Sequence, residues 1–393
     1  VLTALVVAAG CSFNVIGVAA GDGGASSGGG DDLAVPTDLA MDMQTAAPAG
    51  DLATVAPMDA AMKKAHRKSI TIDNSKVSGN QTDFPVLIDL TDADLAAQAQ
   101  PNGHDIYFTA ADGTTRLDYE IEHWDAAAHR LTAWVRVPML PANAPTVLYV
   151  CYGDATTSAT PNAPGVFKSS FAAVWHLDDA LPATAIADAT GTHPATPSLT
   201  AATTQVGAKL GGGLAFTGSN DTIAFTNPLS GNAAHTISVW VSQAAVTHVS
   251  AVLVVGTAAT SQSRFLYTHF TSAVLEAGYY SNDVPTTRNL DGAGFVLLHW
   301  VLDGANGKNH LYVNGAEISG SPTTVNNIDT QGTTGIIGHA PEPAYGTNTG
   351  LEGTIDELRI ATTARSAGWI ATEYANQSSP STFYAIGAEQ PVP

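Results

Sequence analysis

Between Phe295 and Ile360 the chain reads FVLLHWVLDGANGKNHLYVNGAEISG, then a polar loop, then GIIGHA, then a second loop, then GTIDELRI. Apolar residues recur here at every second position, the period of a strand with one buried face. Val296, Leu298, Trp300 and Leu302 share one face of the first run. The segment from Asp303-Gly304 to Gly307 turns the chain, and Leu311 and Val313 resume the alternation. Asn314-Gly315 supplies the next tight turn. The same phase puts Asp356 on the face of Leu358 and Ile360 in the last run. Such a pattern commits this part of the chain to an all-β fold.

Three pieces of that stretch, Leu311-Tyr312-Val313-Asn314-Gly315, Ile336-Ile337-Gly338 and Gly353 to Ile360, resemble in order and spacing the laminin-G-like, concanavalin-A-like lectin/glucanase jelly roll. Val174-Trp175-His176-Leu177-Asp178, Gly213 to Gly218 and Ile237 to Val241 are similar to that family's opening strands. The resemblance implies a jelly roll over residues 169–390. Trp369 to Gln377 reads as a short helix that packs back near the chain end.

Ahead of it, residues 63–155 hold six short alternating runs. They are Ser69–Asp73, Pro85–Leu90, Asp105–Ala110, Leu117–Trp124, Leu131–Pro138 and Thr146–Tyr152. Asp112-Gly113 is a hairpin turn signal, and only Asp92–Gln100 looks helical. Six strands in so short a length predict a small β-sandwich. Arg67 to Asp73, Thr82 to Ile88, Asp105 to Phe108 and Leu148 to Gly153 resemble a bacterial domain of unknown function commonly found before a concanavalin-A-like domain. Residues 156–168, rich in Thr, Ala, Pro and Asn, read as a linker.

The first eleven residues, VLTALVVAAGC, form an apolar run ending in Ala8-Ala9-Gly10-Cys11. This resembles a bacterial lipoprotein signal remnant with Cys11 as the lipidated residue, too short to be a transmembrane helix. Residues 12–62 are Gly, Ala, Ser, Asp and Pro with almost no aromatics, and read as a disordered tether. The expectation is a secreted protein held at the bacterial outer membrane or cell surface by its lipid alone.

The net charge of −20, with no basic stripe, argues against nucleic acid as a partner. The glucanase branch of the family places its catalytic carboxylates as Glu-x-Asp-x-x-Glu on one strand, a pattern absent from the jelly-roll sequence. Glu120 and Glu122 lie two apart in the first sandwich and read as a solvated strand face. Gly211-Gly212-Gly213 reads as a turn, and the twelve histidines are scattered singly. A glycoside hydrolase is therefore disfavoured. The expected role is non-catalytic recognition of a carbohydrate or surface polymer; the alternative is a structural or protein-adhesion module engaging other surface proteins.

Trp240 points away from Ile237, Val239 and Val241, so it is the candidate sugar-stacking platform, with Tyr267 and His269 as further candidates. Asp356 at the edge of an apolar face calls for a partner, either backbone N–H groups, an arginine or a metal ion. The family resemblance implies a structural calcium ion there, with Asp178 as second ligand and turn carbonyls near Gly218 completing the shell.

Overall fold

The computed structural model describes residues 65–393 apart from 169, 219, 271–273, 285, 305–306 and 343. The expected lipidation at Cys11 and the tether expected over 12–62 lie outside the described residues. The described residues group into one unit, and its architecture is all-β, as the alternation predicts.

Among the described residues, four sheets stack in two pairs. His66–Ile72, Tyr107–Ala110 and Thr146–Tyr152 lie in a five-stranded sheet that faces a three-stranded one made of Gln81–Thr91, Arg130–Leu140 and Tyr119–Asp125. Ile70, Val86, Phe108, Leu131, Val135 and Leu148 meet between them and are almost completely buried. The second pair is the jelly roll. A nine-stranded sheet includes Phe295–Asp303, His235–Gln243 and Glu352–Ala361, and a six-stranded sheet includes Ser250–Gly256 and Ser263–His269. Val296, Leu298, Trp300, Leu302, Leu311 and Val313 all enter this core, as their period-two phase requires. Asn314 and Gly315 take φ of 54° and 79°, the left-handed conformation of a type I′ hairpin turn.

The two sandwiches are not strung on a loose connection. The outer face of the three-stranded sheet lies on the outer face of the nine-stranded sheet, and Leu87, Trp134, Val174, Leu210, Trp240 and Leu297 form a third apolar layer there. The segment read as a linker contributes to it. Its end forms a helical turn, Ala163–Val166, capped by Asn162, and Val166 and Phe167 are fully buried.

The C-terminal segment also departs from the sequence boundary at 390. Helix Ala367–Ser378 does pack back, but its Trp369, with Phe383 and Tyr384, joins the core of the first sandwich. Tyr384–Ile386 and Gln390–Pro391 then pair antiparallel with His66–Ile72. Two side chains from this tail close the open edge of strand Gln81–Thr91. Asn376 accepts from Leu87 N at 2.7 Å and donates to Leu87 O at 3.0 Å. The Tyr384 hydroxyl accepts from Asp89 N and donates to Asp89 O, both at 2.8 Å. Capping an edge in this way removes a template for strand addition.

Candidate functional site at the interface between the sandwiches

The apolar layer surrounds a set of buried charges. A β-bulge creates it. Opposite Glu352–Ala361, Ser238 faces Arg359 but Trp240 faces Asp356, so one extra residue enters the strand. Glu357 takes φ 55°, and a bulge of this kind leaves one residue unpaired and rephases what precedes it. Ile355, Leu358 and Ile360 therefore all point into the jelly-roll core, and Asp356 does not share their face. Asp356 and Glu357 instead join Arg359 outside that core. Next door, Trp175 and Leu177 enter the core while His176 points outward. From the other sandwich come Glu120 and Glu122, on a strand with its own bulge between Ile121 and His123.

His176 is the hub. Its Nδ1 lies 2.6 Å from Glu357 Oε1 and 3.7 Å from Glu122 Oε2, and its Nε2 is 3.1 Å from Glu120 Oε2. Burial alone would lower its pKa, but Glu357, Glu120 and Glu122 hold it well above the ordinary imidazole value. Arg359 clamps Glu357 Oε2 through Nη2 at 2.6 Å and Nε at 3.1 Å, and its guanidinium lies 4.1 Å from the centre of the Trp134 ring. The Trp134 indole N–H donates to Glu122 Oε2 at 2.7 Å.

The carboxylates respond to these surroundings in opposite ways. Burial opposes ionisation of Glu357, yet His176 and Arg359 keep its pKa below the usual range. Burial pushes Glu122 up to about 8, and it raises Asp178 as well. Asp356 is fully buried and displaced well upward by burial and then by Glu357. Its Oδ2 accepts from Leu210 N at 2.8 Å, while Oδ1 has no hydrogen-bond partner among the described residues.

The three glycines read as a turn begin strand Gly211–Thr217, and they let the backbone approach these acids. A Cβ on Gly211 would stand 3.3 Å from Glu122 Oε1, one on Gly212 would stand 3.0 Å from Asp178 Cβ, and one on Gly213 would stand 3.3 Å from Asp356 Cβ. Glu122, Asp178, Gly211 and Gly212, with Arg130 and Gln205, line a cleft of about 300 Å³. Gln205 also lines a larger groove of about 700 Å³, walled by Leu181, Pro182, Leu199 and the hydroxyl-bearing Ser198, Thr200 and Thr204.

The residues singled out from the sequence fare differently. Trp240 faces away from the core, but it is only 1% exposed. Its indole N–H donates to Gln377 Oε1 at 2.7 Å, Tyr374 lies against its ring, and Lys209 Nζ sits 5.1 Å from the ring centre. The helix at the chain end covers it, so it is interface packing and not a sugar platform. Tyr267 is 2% exposed, stacked between Phe265 and Phe270. His269 is buried with Nδ1 3.1 Å from Asp291 Oδ1. Neither is open to a ligand.

Asp178 and Asp356 do reach one interface, where each has His176 and Glu357 among its charged neighbours. Gly218 is not part of it: a Cβ there would meet Glu352 and His248. The calcium shell expected around it does not assemble in that form.

Glu120 and Glu122 are not a solvated face, because their side chains are only 18% and 3% exposed. His176, Glu120, Glu122 and Glu357 are not legible as a set in the sequence because they come from two strands and the residue just after a third, in two sandwiches. One signal was present: the apolar spacing Ile355-x-x-Leu358-x-Ile360 breaks period two and marks the bulge.

Residues 102–179 match the family model described as Domain of unknown function (DUF2341), and residues 216–371 match that of the Concanavalin A-like lectin/glucanases superfamily. The first match spans both Glu120 and Glu122 on one side of the interface and His176 and Asp178 on the other. No curated protein matches this chain. Among solved structures it is similar to domain 4 of AbnA, a GH43 extracellular arabinanase from Geobacillus stearothermophilus, solved in complex with arabinotriose. The identity is 20% over 52% of this chain and 98% of that domain, at a TM-score of 0.41. A Trypanosoma rangeli sialidase in complex with 2,3-difluorosialic acid matches at 12% identity over 64% of this chain, which spans only 42% of the sialidase, at a TM-score of 0.42. The chain thus carries a DUF2341 match followed by a concanavalin A-like domain, in the order its motifs imply.

Proposed function

We propose that this chain is a non-catalytic surface protein that binds a neutral, polyhydroxylated polymer, a carbohydrate, in the groove ending at Gln205. The observation that carries the reading is the composition of that groove. Leu181, Pro182 and Leu199 offer apolar surface to sugar C–H faces, and Ser198, Thr200, Thr204 and Gln205 offer neutral hydrogen-bonding groups beside them. The wall is held in place from behind. Buried Asp221 accepts from Thr200 N at 2.9 Å, from Thr200 Oγ1 at 3.1 Å and from Thr203 Oγ1 at 2.5 Å. A wall already ordered before binding loses less entropy on taking up a ligand.

The test is calorimetric titration of the full chain with a panel of plant, algal and bacterial polysaccharides, with product analysis for released reducing ends. Binding to at least one polysaccharide, weakened about tenfold or more by Gln205→Ala with an unchanged melting temperature, is the expected result. Absence of binding across the panel would favour a protein-adhesion module. Turnover that stops on changing one carboxylate would make the chain a hydrolase.

A further inference from the structure

The interface gathers more carboxyl groups than cationic side chains. Glu120, Glu122, Asp178, Asp356 and Glu357 gather around His176 and Arg359, and Asp356 Oδ1 is buried without a hydrogen-bond partner among the described residues. An orphaned carboxylate oxygen in such a place is costly unless a proton or a cation meets it. Its charged neighbours include Glu357, Glu122 and His176. Those three residues each present a donor atom, and the three atoms lie within 4.8 Å of one another.

We propose that Glu122, His176 and Glu357, with Asp356 beside them, bind a divalent transition-metal ion of the Zn²⁺ or Mn²⁺ type between the two sandwiches. Ligands at about 2.0–2.2 Å from a common ion stand roughly 3–4 Å apart. The 2.6 and 3.7 Å separations from His176 Nδ1 to Glu357 and Glu122 need adjustments of only a few tenths of an ångström. One imidazole among carboxylates selects a transition metal over calcium, which takes oxygen ligands.

The surrounding shell has the form that orients metal ligands. Glu120 holds His176 by Nε2 and leaves Nδ1 to the ion, while Trp134 holds Glu122 Oε2 and Arg359 holds Glu357 Oε2. The cleft lined by Glu122, Asp178, Gly211 and Gly212 supplies an entrance. Because Glu122 comes from one sandwich and His176 and Glu357 from the other, the ion would fasten the two together.

The inference is independent of the carbohydrate reading, since metal retention is measured with no polysaccharide present. Tag-free full-length chain is stripped with chelator and equilibrated separately with Zn²⁺, Mn²⁺ and Ca²⁺. Bound metal is counted by elemental mass spectrometry, and melting is followed with and without each ion. About one equivalent of Zn²⁺ or Mn²⁺ should be retained and should raise the melting temperature. His176→Gln and Glu122→Gln should each weaken retention about tenfold or more. Retention by the unaltered chain is the primary readout, so a variant that fails to fold does not decide the question. No retention of either transition metal, retention of calcium alone, or unchanged retention in both folded variants overturns the assignment.

Discussion

Replacing Trp240 by alanine separates the two roles an outward-facing tryptophan in a lectin-like sheet can have. Here the ring is buried between the nine-stranded sheet and the helix Ala367–Ser378. Removing a buried tryptophan costs roughly 3–5 kcal/mol in lost transfer energy and residual cavity. The indole N–H bond to Gln377 Oε1 goes as well, which adds about 1 kcal/mol for the oxygen left behind. A loss of about 4–6 kcal/mol should lower the melting temperature on the order of 10 °C. Trp240→Phe keeps most of the packing and loses only the donor, so its cost should be about 1–2 kcal/mol. Urea denaturation of both variants, followed by tryptophan fluorescence and far-UV circular dichroism, gives the two numbers. A platform open to solvent would instead cost less than about 0.5 kcal/mol on truncation. A Trp240→Ala chain with unchanged stability and weakened polysaccharide binding would refute the burial argument.

Asn376→Ala should cost about 2–4 kcal/mol, because it strands the buried N–H and C=O of Leu87, and hydrogen exchange at the Leu87 amide should speed up in step. Burial pushes Glu276 up to about 7, against an ordinary value of 4.5, and its Oε1 has no partner among the described residues. Its folded pKa is raised, so its contribution to stability is complete below about pH 4.5 and is lost as pH rises through about 7. Glu276→Gln should therefore flatten the fall in denaturation midpoint between about pH 4.5 and 7 and exceed the unaltered chain above pH 7 by up to about 3 kcal/mol; a parallel pH profile would contradict this. Cys11→Ser should move the full precursor from the membrane fraction to the soluble one, and identical fractionation would remove the lipid anchor from the reading.

Strand alternation was enough to find most of the elements, because burial of one sheet face leaves a local record every second residue. Val296 to Leu302 shows this directly, and so does Asp92 capping helix Ala93–Gln98 just where the only helical stretch of the first unit was expected. What alternation could not carry was the second buried face. Trp240, Trp134, Glu122 and His176 all sit on faces that a single sandwich would expose. Their burial depends on one sandwich docking against another, and no local period encodes that. The bulge at Glu357 compounds the problem, since one inserted residue exchanges the faces of everything before it. A phase argument carried across it assigned Asp356 to the wrong side while placing Leu358 and Ile360 correctly.

The return of the chain end to the first sandwich sets an order on how the protein is made. Trp369, Phe383 and Tyr384 complete a core whose other members are drawn mostly from residues 70–152, and Gln390 pairs with Arg67. On a ribosome the amino-terminal sandwich emerges first but waits for its last strands until some three hundred residues later. The jelly roll, whose final strand ends at Ala361, has all its own strands before then. Folding would therefore run against the order of synthesis, with the second domain closing first and serving as the surface on which the first is finished. Until that moment the edge strand Gln81–Thr91 lacks both Asn376 and Tyr384, and the nascent chain is most open to mispairing there.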